Sequence, residues 1–321
     1  MTRHAYLIAG HDNPYVLSTL VEMLDDPRND LFVHVDKKSK GFDAAQITGL
    51  SHHSKVYLAP RMRVFWGDYS QVKSVLRLVK TALGGPYSYF HVLSGADLPL
   101  KSNDHIHDFF DANAGKEFVA FNKPPKWTRE WLSHVHPFNK LAKSPHTHVR
   151  ALHSRFNRGS IRLQQAVGVD RLKRLGVETK YGSDWFSISR DLASHLVANE
   201  RLIAKWFRWS FNPVEYYLQT LVWNSSFRGR VFDLDHPYRS SMRLIDFPRG
   251  SGSSPHTWTM ADLDELATTD RLFARKFSEH VDREIIDVVK SSVQSGTWPT
   301  RASTTDTNSG PVPGWTRKEW H

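Results

Sequence analysis

The first 120 residues alternate short apolar runs with stretches of helical spacing, and few architectures accept that alternation. HAYLIAG (4–10), LFVHV (31–35), KVYL (55–58), SYFHVLS (88–94) and EFVAF (117–121) read as strands. Strands separated by helical stretches belong to βαβ units, so the fold class is α/β. SQVKSVLRLVKTAL (70–83) sets Val72, Val75, Leu76, Val79 and Leu83 at helical spacing, with Ser70 as the expected cap and Gly84-Gly85-Pro86 as the stop. Ser102 is expected to cap a short helix through Phe110. With 40% hydrophobic residues, including 11 Trp and 18 Phe, the chain can fill a real core.

The pattern loosens after residue 121. Residues 140–174 hold nine Lys or Arg and a single acid, Asp170, which reads as a solvated basic loop pair or an anion-facing surface. DWFSIS (184–189) is strand-like and leads into a helix. FNPVEYYLQTLVWNS (211–225) opens an aromatic-rich helix, RGRVFDL (228–234) is extended, and LFARKF (272–277) precedes a last amphipathic helix over 278–292. Residues 293–321, rich in Ser, Thr, Pro and Gly, are expected to form a disordered tail.

Open α/β sheets hold ligands beyond the carboxyl ends of their strands. Two such ends carry polar residues: HVDKKS (34–39) ends on Asp36, and HVLSGADLPL (91–100) on Ser94, Gly95 and Asp97. Neither is a phosphate-cradling loop, because the chain has no GxGxxG or GxxxxGK[ST] there. Glu215 has two readings. Asn212, Pro213 and Glu215 spell a capping box, which needs no catalysis. A carboxylate flanked by Tyr216, Tyr217 and Trp223 can equally sit in a partly dry pocket, tuned to remove a proton.

Arg275 and Lys276 lie between Phe273 and Phe277; aromatic neighbours fix such a pair, and two fixed cations can receive a departing diphosphate. Asp184 beside Trp185 is a common sugar-contacting combination, and Trp66 precedes a helix in VFWGDYS; a turn cap and core packing are the plainer roles. Of two Asp-x-Asp spellings, Asp262/Asp264 lies on an ordinary helical surface, and Asp233/Asp235 reads as a turn. The His-x-His pairs lack a zinc spacing, so no metal site is expected.

Taken in order, AYLIAGH, VHVDKKS, FWGDYSQVKSVL, YFHVLSGADLPL, GSDWFSISRD, NPVEYYLQTLVWNS and LFARKF resemble the core-2/I-branching enzyme family, which includes β-1,6-N-acetylglucosaminyltransferases and peptide O-xylosyltransferases. The resemblance runs from about residue 4 to 292. It implies a GT-A-like nucleotide-sugar-binding fold with a mixed central sheet flanked by helices, inversion at the anomeric carbon, and no required metal or other cofactor. Residues 1–292 would form one glycosyltransferase domain, with 1–120 mainly the donor-nucleotide half and 121–292 mainly the acceptor and catalytic half. By the same resemblance Glu215 falls on the catalytic base, and Arg275 and Lys276 on the diphosphate site. Asp36, Ser94 and Asp97 fall at the donor site, and Trp66, Asp184 and Trp185 on the acceptor side. The donor would be a UDP-sugar, N-acetylglucosamine or xylose first, and the acceptor a glycan, a lipid-linked sugar or a peptide.

No apolar stretch approaches the roughly 20 residues of a membrane span, and cysteine is absent. The expectation is a soluble, bacterial-type enzyme in the cytoplasm, with peripheral contact at the inner membrane face through 140–174. A net charge of +10 admits nucleic acid as a rival partner. Base stacking would need aromatics inside the basic stretch, and most fall on core positions elsewhere. A sugar-binding module without catalysis is the second rival; it has no use for a fixed cationic pair.

Overall fold

A computed structural model describes residues 2–10, 12–251 and 254–299. The expected tail lies outside the described residues from 300 onward. Its beginning does not fit the expectation, because the last helix runs Glu284–Ser295, closes on left-handed Gly296, and Val293 and Trp298 pack on the core.

The alternation builds a five-stranded mixed sheet. Its strands are β1 (Arg3–Gly10), β2 (Asn29–Val35), β3 (Lys55–Leu58), β4 (Tyr87–Ser94) and β6 (Ser187–Ser189), in the order β3-β2-β1-β4-β6. β1, β2, β3 and β4 are parallel, and β6 runs antiparallel on β4. Successive residues of β1 serve opposite faces: Ala5 and Leu7 enter one core, Tyr6 and Ile8 the other. Helices Ser70–Ala82, Arg190–Ala198 and Tyr217–Trp223 cover the first face. Helices Pro14–Met23, Asn103–Ala112 and Glu284–Ser295 cover the second. A smaller sheet, β5 (Asp97–Pro99), β7 (Arg243–Ile245) and β8 (Phe273–Arg275), in the order β5-β8-β7, extends the carboxyl end of β4. The chain winds outward from β1 to β3 and then crosses to β4 on the other side of β1. That reversal opens a crevice beyond the ends of β1 and β4.

Four local expectations fail, each for a physical reason. EFVAF is buried but makes only isolated bridges, Glu117 to Val231 and Phe118 to Ser187, because the segments beside it are irregular. RGRVFDL is likewise a 3₁₀ turn, Ser226–Arg230, leading into one bridge. Ser70 is already helical and its hydroxyl accepts from the Phe65 N–H, so Tyr69 takes the cap position. Ser102 does cap its helix, accepting from the His105 N–H.

The fourth concerns Asn212. It does not cap a helix; it sits in the left-handed region at φ 46°, and Pro213–Glu215 is one 3₁₀ turn ahead of the helix Tyr217–Trp223. Its N–H is committed to the Gly67 carbonyl at 2.8 Å, which ties this turn to the Trp66 loop. Gly67 itself needs φ +72°, and any Cβ there would strike the Phe211 ring at 2.8 Å. The capping-box reading of Glu215 therefore falls.

Candidate active site

The sheet end comes first. Antiparallel register sets Asp97 opposite Arg275, and the guanidinium donates to Asp97 Oδ1 at 2.8 Å and to the Ser94 hydroxyl. Ser94 completes the clasp: its N–H and hydroxyl reach the Asp97 carboxylate at 2.8 and 2.6 Å. Arg275 also lies 4.4 Å above the Trp185 ring. Trp185, expected against the acceptor, thus carries the cation on one face.

Lys276, one residue past the end of β8, turns to a different partner. Its ammonium donates to the Ser254 hydroxyl at 2.5 Å and meets no carboxylate among the described residues. Burial, and then the neighbouring Arg275 charge, lower its pKa. Arg275 is balanced by Asp97; Lys276 holds the uncompensated charge.

Glu215 approaches from the irregular side. Its carbonyl accepts from the Gly182 N–H at 2.9 Å, and Gly182 is pressed so close to the Ala120 carbonyl that a Cβ would stand 1.9 Å from its oxygen. The Gln219 amide holds the next carbonyl, Ser183, at 2.6 Å. These contacts fix the loop that delivers Asp184 and Trp185. Glu215 is largely shielded from water, and its buried Oε2 has no hydrogen-bond partner. Burial and the Asp184 charge push its pKa up to about 7, against the pull of the Asn212 side chain and the Tyr181 hydroxyl. Asp184 is pushed up to about 6 by burial, opposed by Arg275 and assisted by Asp97. Glu215, Asp184, Arg275 and Asp97 therefore form one electrostatically coupled series.

The remaining expected residues frame this series. Trp66 stands beside the Glu215 turn, edge-on to Phe211 at 5.4 Å, with Lys143 4.5 Å from its ring centre. Asp36 is occupied by its own turn, accepting from the Lys38 N–H at 2.9 Å and pairing with the Lys38 ammonium at 3.3 Å. Its neighbours Val35 and Ser39 line a cavity of about 380 Å³ with Asp12, Asn13, Phe42 and His280. This cavity opens beyond the carboxyl ends of β1 and β2, beside the irregular segment that runs on from Lys276 through Ser278.

Tyr181, Asn212 and the cavity residues were not legible as site residues, since no local spelling marks them. Nor was Arg243, a buried cation pushed down to about 9 by burial, which donates to the Phe186 carbonyl at 2.8 Å and the Ser187 hydroxyl at 3.0 Å.

Among the described residues no group of three or more His, Asp or Glu could hold a metal ion. Asp233 accepts from the N–H groups of Asp235 and His236, and Asp262 joins a capping box with Thr259. Both Asp-x-Asp spellings are thereby accounted for.

The Core-2/I-Branching enzyme profile matches residues 4–266, most of the chain. The chain belongs to this family of glycosyltransferases. Among curated relatives, Xylosyltransferase 2 of Mus musculus is 23% identical over 311 residues, 89% of this chain and 33% of that protein. Xylosyltransferase 1 of Pan troglodytes is 25% identical over 293 residues, 79% of this chain and 27% of that protein. The chain thus spans about a third of the length of the curated relatives it matches. Mouse xyloside xylosyltransferase 1, apo form, aligns over 68% of this chain and 81% of its own, at 10% identity and a TM-score of 0.30.

Proposed function

We propose that the chain is an inverting glycosyltransferase that moves a sugar from a UDP-sugar to an acceptor hydroxyl without a metal ion. The observation that carries this reading is Glu215: a shielded carboxylate with one unpartnered oxygen, tuned to about 7 and coupled through Asp184 to a cationic sheet end. A base of that pKa is half ionised near neutrality and strong enough to take a hydroxyl proton as the new bond forms.

In the proposed step the acceptor oxygen attacks the anomeric carbon while its proton passes to the Glu215 carboxylate. The bond from that carbon to the diphosphate breaks on the opposite face, and its electron pair leaves with UDP. Lys276, with Arg275 behind it, neutralises the leaving diphosphate in the role a divalent cation plays elsewhere. The nucleoside lies in the cavity lined by Asn13, Phe42 and His280. Trp66 faces the incoming acceptor, which is a glycan, a lipid-linked sugar or a peptide. Relatives named xylosyltransferases put UDP-xylose first and UDP-N-acetylglucosamine second.

A panel of UDP-sugars with and without EDTA, read by thermal shift and UDP release, tests this reading. One UDP-sugar should stabilise the chain and release UDP equally in both conditions. Release that requires manganese would overturn the metal-free step. Steeply salt-sensitive oligonucleotide binding with no response to UDP would overturn the whole.

A further inference from the structure

The helix Thr147–Ala166 is built inside out. The residues it turns toward the protein are Val149, His153, Asn157, Ser160, Ile161 and Gln164, mostly polar, and none of the helix is fully buried. Hydrogen bonds tether it: Asn157 meets His136 at 3.2 Å, and the Gln164 amide takes the Val135 N–H at 2.7 Å and gives to the Val135 carbonyl at 2.9 Å.

Its large apolar side chains point away instead. Leu152, Phe156 and Leu163 are 69%, 56% and 67% exposed, and half-exposed Phe138 packs edge-on against Phe156 at 5.2 Å. Beside this stripe runs a second, of exposed Arg155, Arg158 and Arg162. At about 100° per residue the two stripes adjoin, each confined within about 60° of the helix circumference. Arg150 and Arg158 bond only within their own segment, and among the described residues none of the four arginines pairs with a carboxylate.

We propose that this face docks on an anionic membrane surface. Leucine and phenylalanine sink at the headgroup boundary while arginine stems run along the apolar layer and present guanidinium to lipid phosphate. A second copy would oppose one basic stripe with another across the contact. A neutral globular partner would leave the arginines unpaired. The helix also adjoins the acceptor side, since Lys143, just before it, covers Trp66 at 4.5 Å. The docked face therefore sets the Trp66 loop toward the lipid. The inference needs only this surface and stands whether or not the chain transfers sugar.

Co-sedimentation of the full chain with vesicles of phosphatidylcholine alone, or mixed equally with phosphatidylglycerol, tests it. Binding should require phosphatidylglycerol and weaken as salt rises. The R155Q/R158Q/R162Q variant should lose roughly 100-fold in partitioning, from about a tenfold factor or less per basic side chain near the surface. L152S/F156S/L163S should lose at least tenfold with its charge intact, and circular dichroism of both variants should match wild type. Either variant binding as wild type does, or equal binding to neutral vesicles, would overturn the proposal. So would a dimer in sedimentation equilibrium that L152S/F156S/L163S dissolves. Binding of polyglutamate as tight as vesicle binding, and indifferent to L152S/F156S/L163S, would also overturn it, in favour of an acidic protein partner.

Discussion

Asp97 and Glu215 are shielded carboxylates of one coupled site, and the fold treats them in opposite ways. Asp97 sits on a regular strand where register supplies its partners: the Ser94 N–H and hydroxyl and the Arg275 guanidinium. Glu215 sits on a 3₁₀ turn held through backbone carbonyls and Asn212, and its Oε2 is left with nothing to accept from. The lesson concerns where a fold puts satisfaction and where it withholds it. A fully bonded carboxylate is a fixture that aims a cation. A carboxylate with one oxygen left unpartnered in a dry place holds its proton more tightly, as the proposed base does, and its desolvation is held in place by the structure around it.

The largest expected effect comes from removing the proposed base. Glu215→Gln should lower sugar transfer about 10²- to 10⁴-fold while leaving UDP affinity within a few-fold, measured by kcat and by calorimetry. It should also stabilise the protein. A carboxyl whose folded pKa is raised binds more protons folded than unfolded, so stability is lost as pH rises from about 4.5 through about 7. Abolishing that charge should recover up to about 3 kcal/mol at pH 8 and almost nothing at pH 4, in urea melts. A capping glutamate would show the reverse, a loss of stability on replacement.

Next is the cation that no carboxylate balances. Lys276→Ala should lower kcat about 10²- to 10³-fold and weaken UDP binding as well, read by turnover and thermal shift. Asp97→Ala tests the other side of the comparison. It leaves Arg275 without its partner, so about 3 kcal/mol of stability should be lost in denaturant melts. The smallest effect is expected at Trp66. Trp66→Ala should raise the acceptor KM about tenfold with little change in donor affinity, as loss of one stacking face in a binding subsite would.

How much of this was legible follows the same division. β1, β2 and β4 were readable because strands covered on both faces need unbroken apolar runs, and the ends of β1 and β4 marked the crevice; β3, a half-exposed edge strand, showed only as a short run. EFVAF and RGRVFDL misled because a buried apolar segment between irregular neighbours has the same spelling as a strand. Ser94, Asp97, Arg275 and Lys276 were legible as candidates from strand-end position and aromatic flanks. Their division of labour was not, since only register shows Arg275 facing Asp97 and Lys276 facing elsewhere. Glu215 was legible by residue type, but its state depends on Tyr181, Asn212 and Asp184, of which only Asn212 shares its segment. The basic stretch was visible from charge alone. That its apolar side chains face outward emerged only once the helix was placed on Val135 and His136.

The dependence of kcat/KM for sugar transfer on pH tests the central claim most directly. A single base with a pKa of about 7 predicts a rate that falls tenfold per unit below that point, with the limb moved upward in Tyr181→Phe, which removes a hydroxyl that stabilises the charged form. A profile that stays level down to about pH 5, near the ordinary glutamate range, would contradict it.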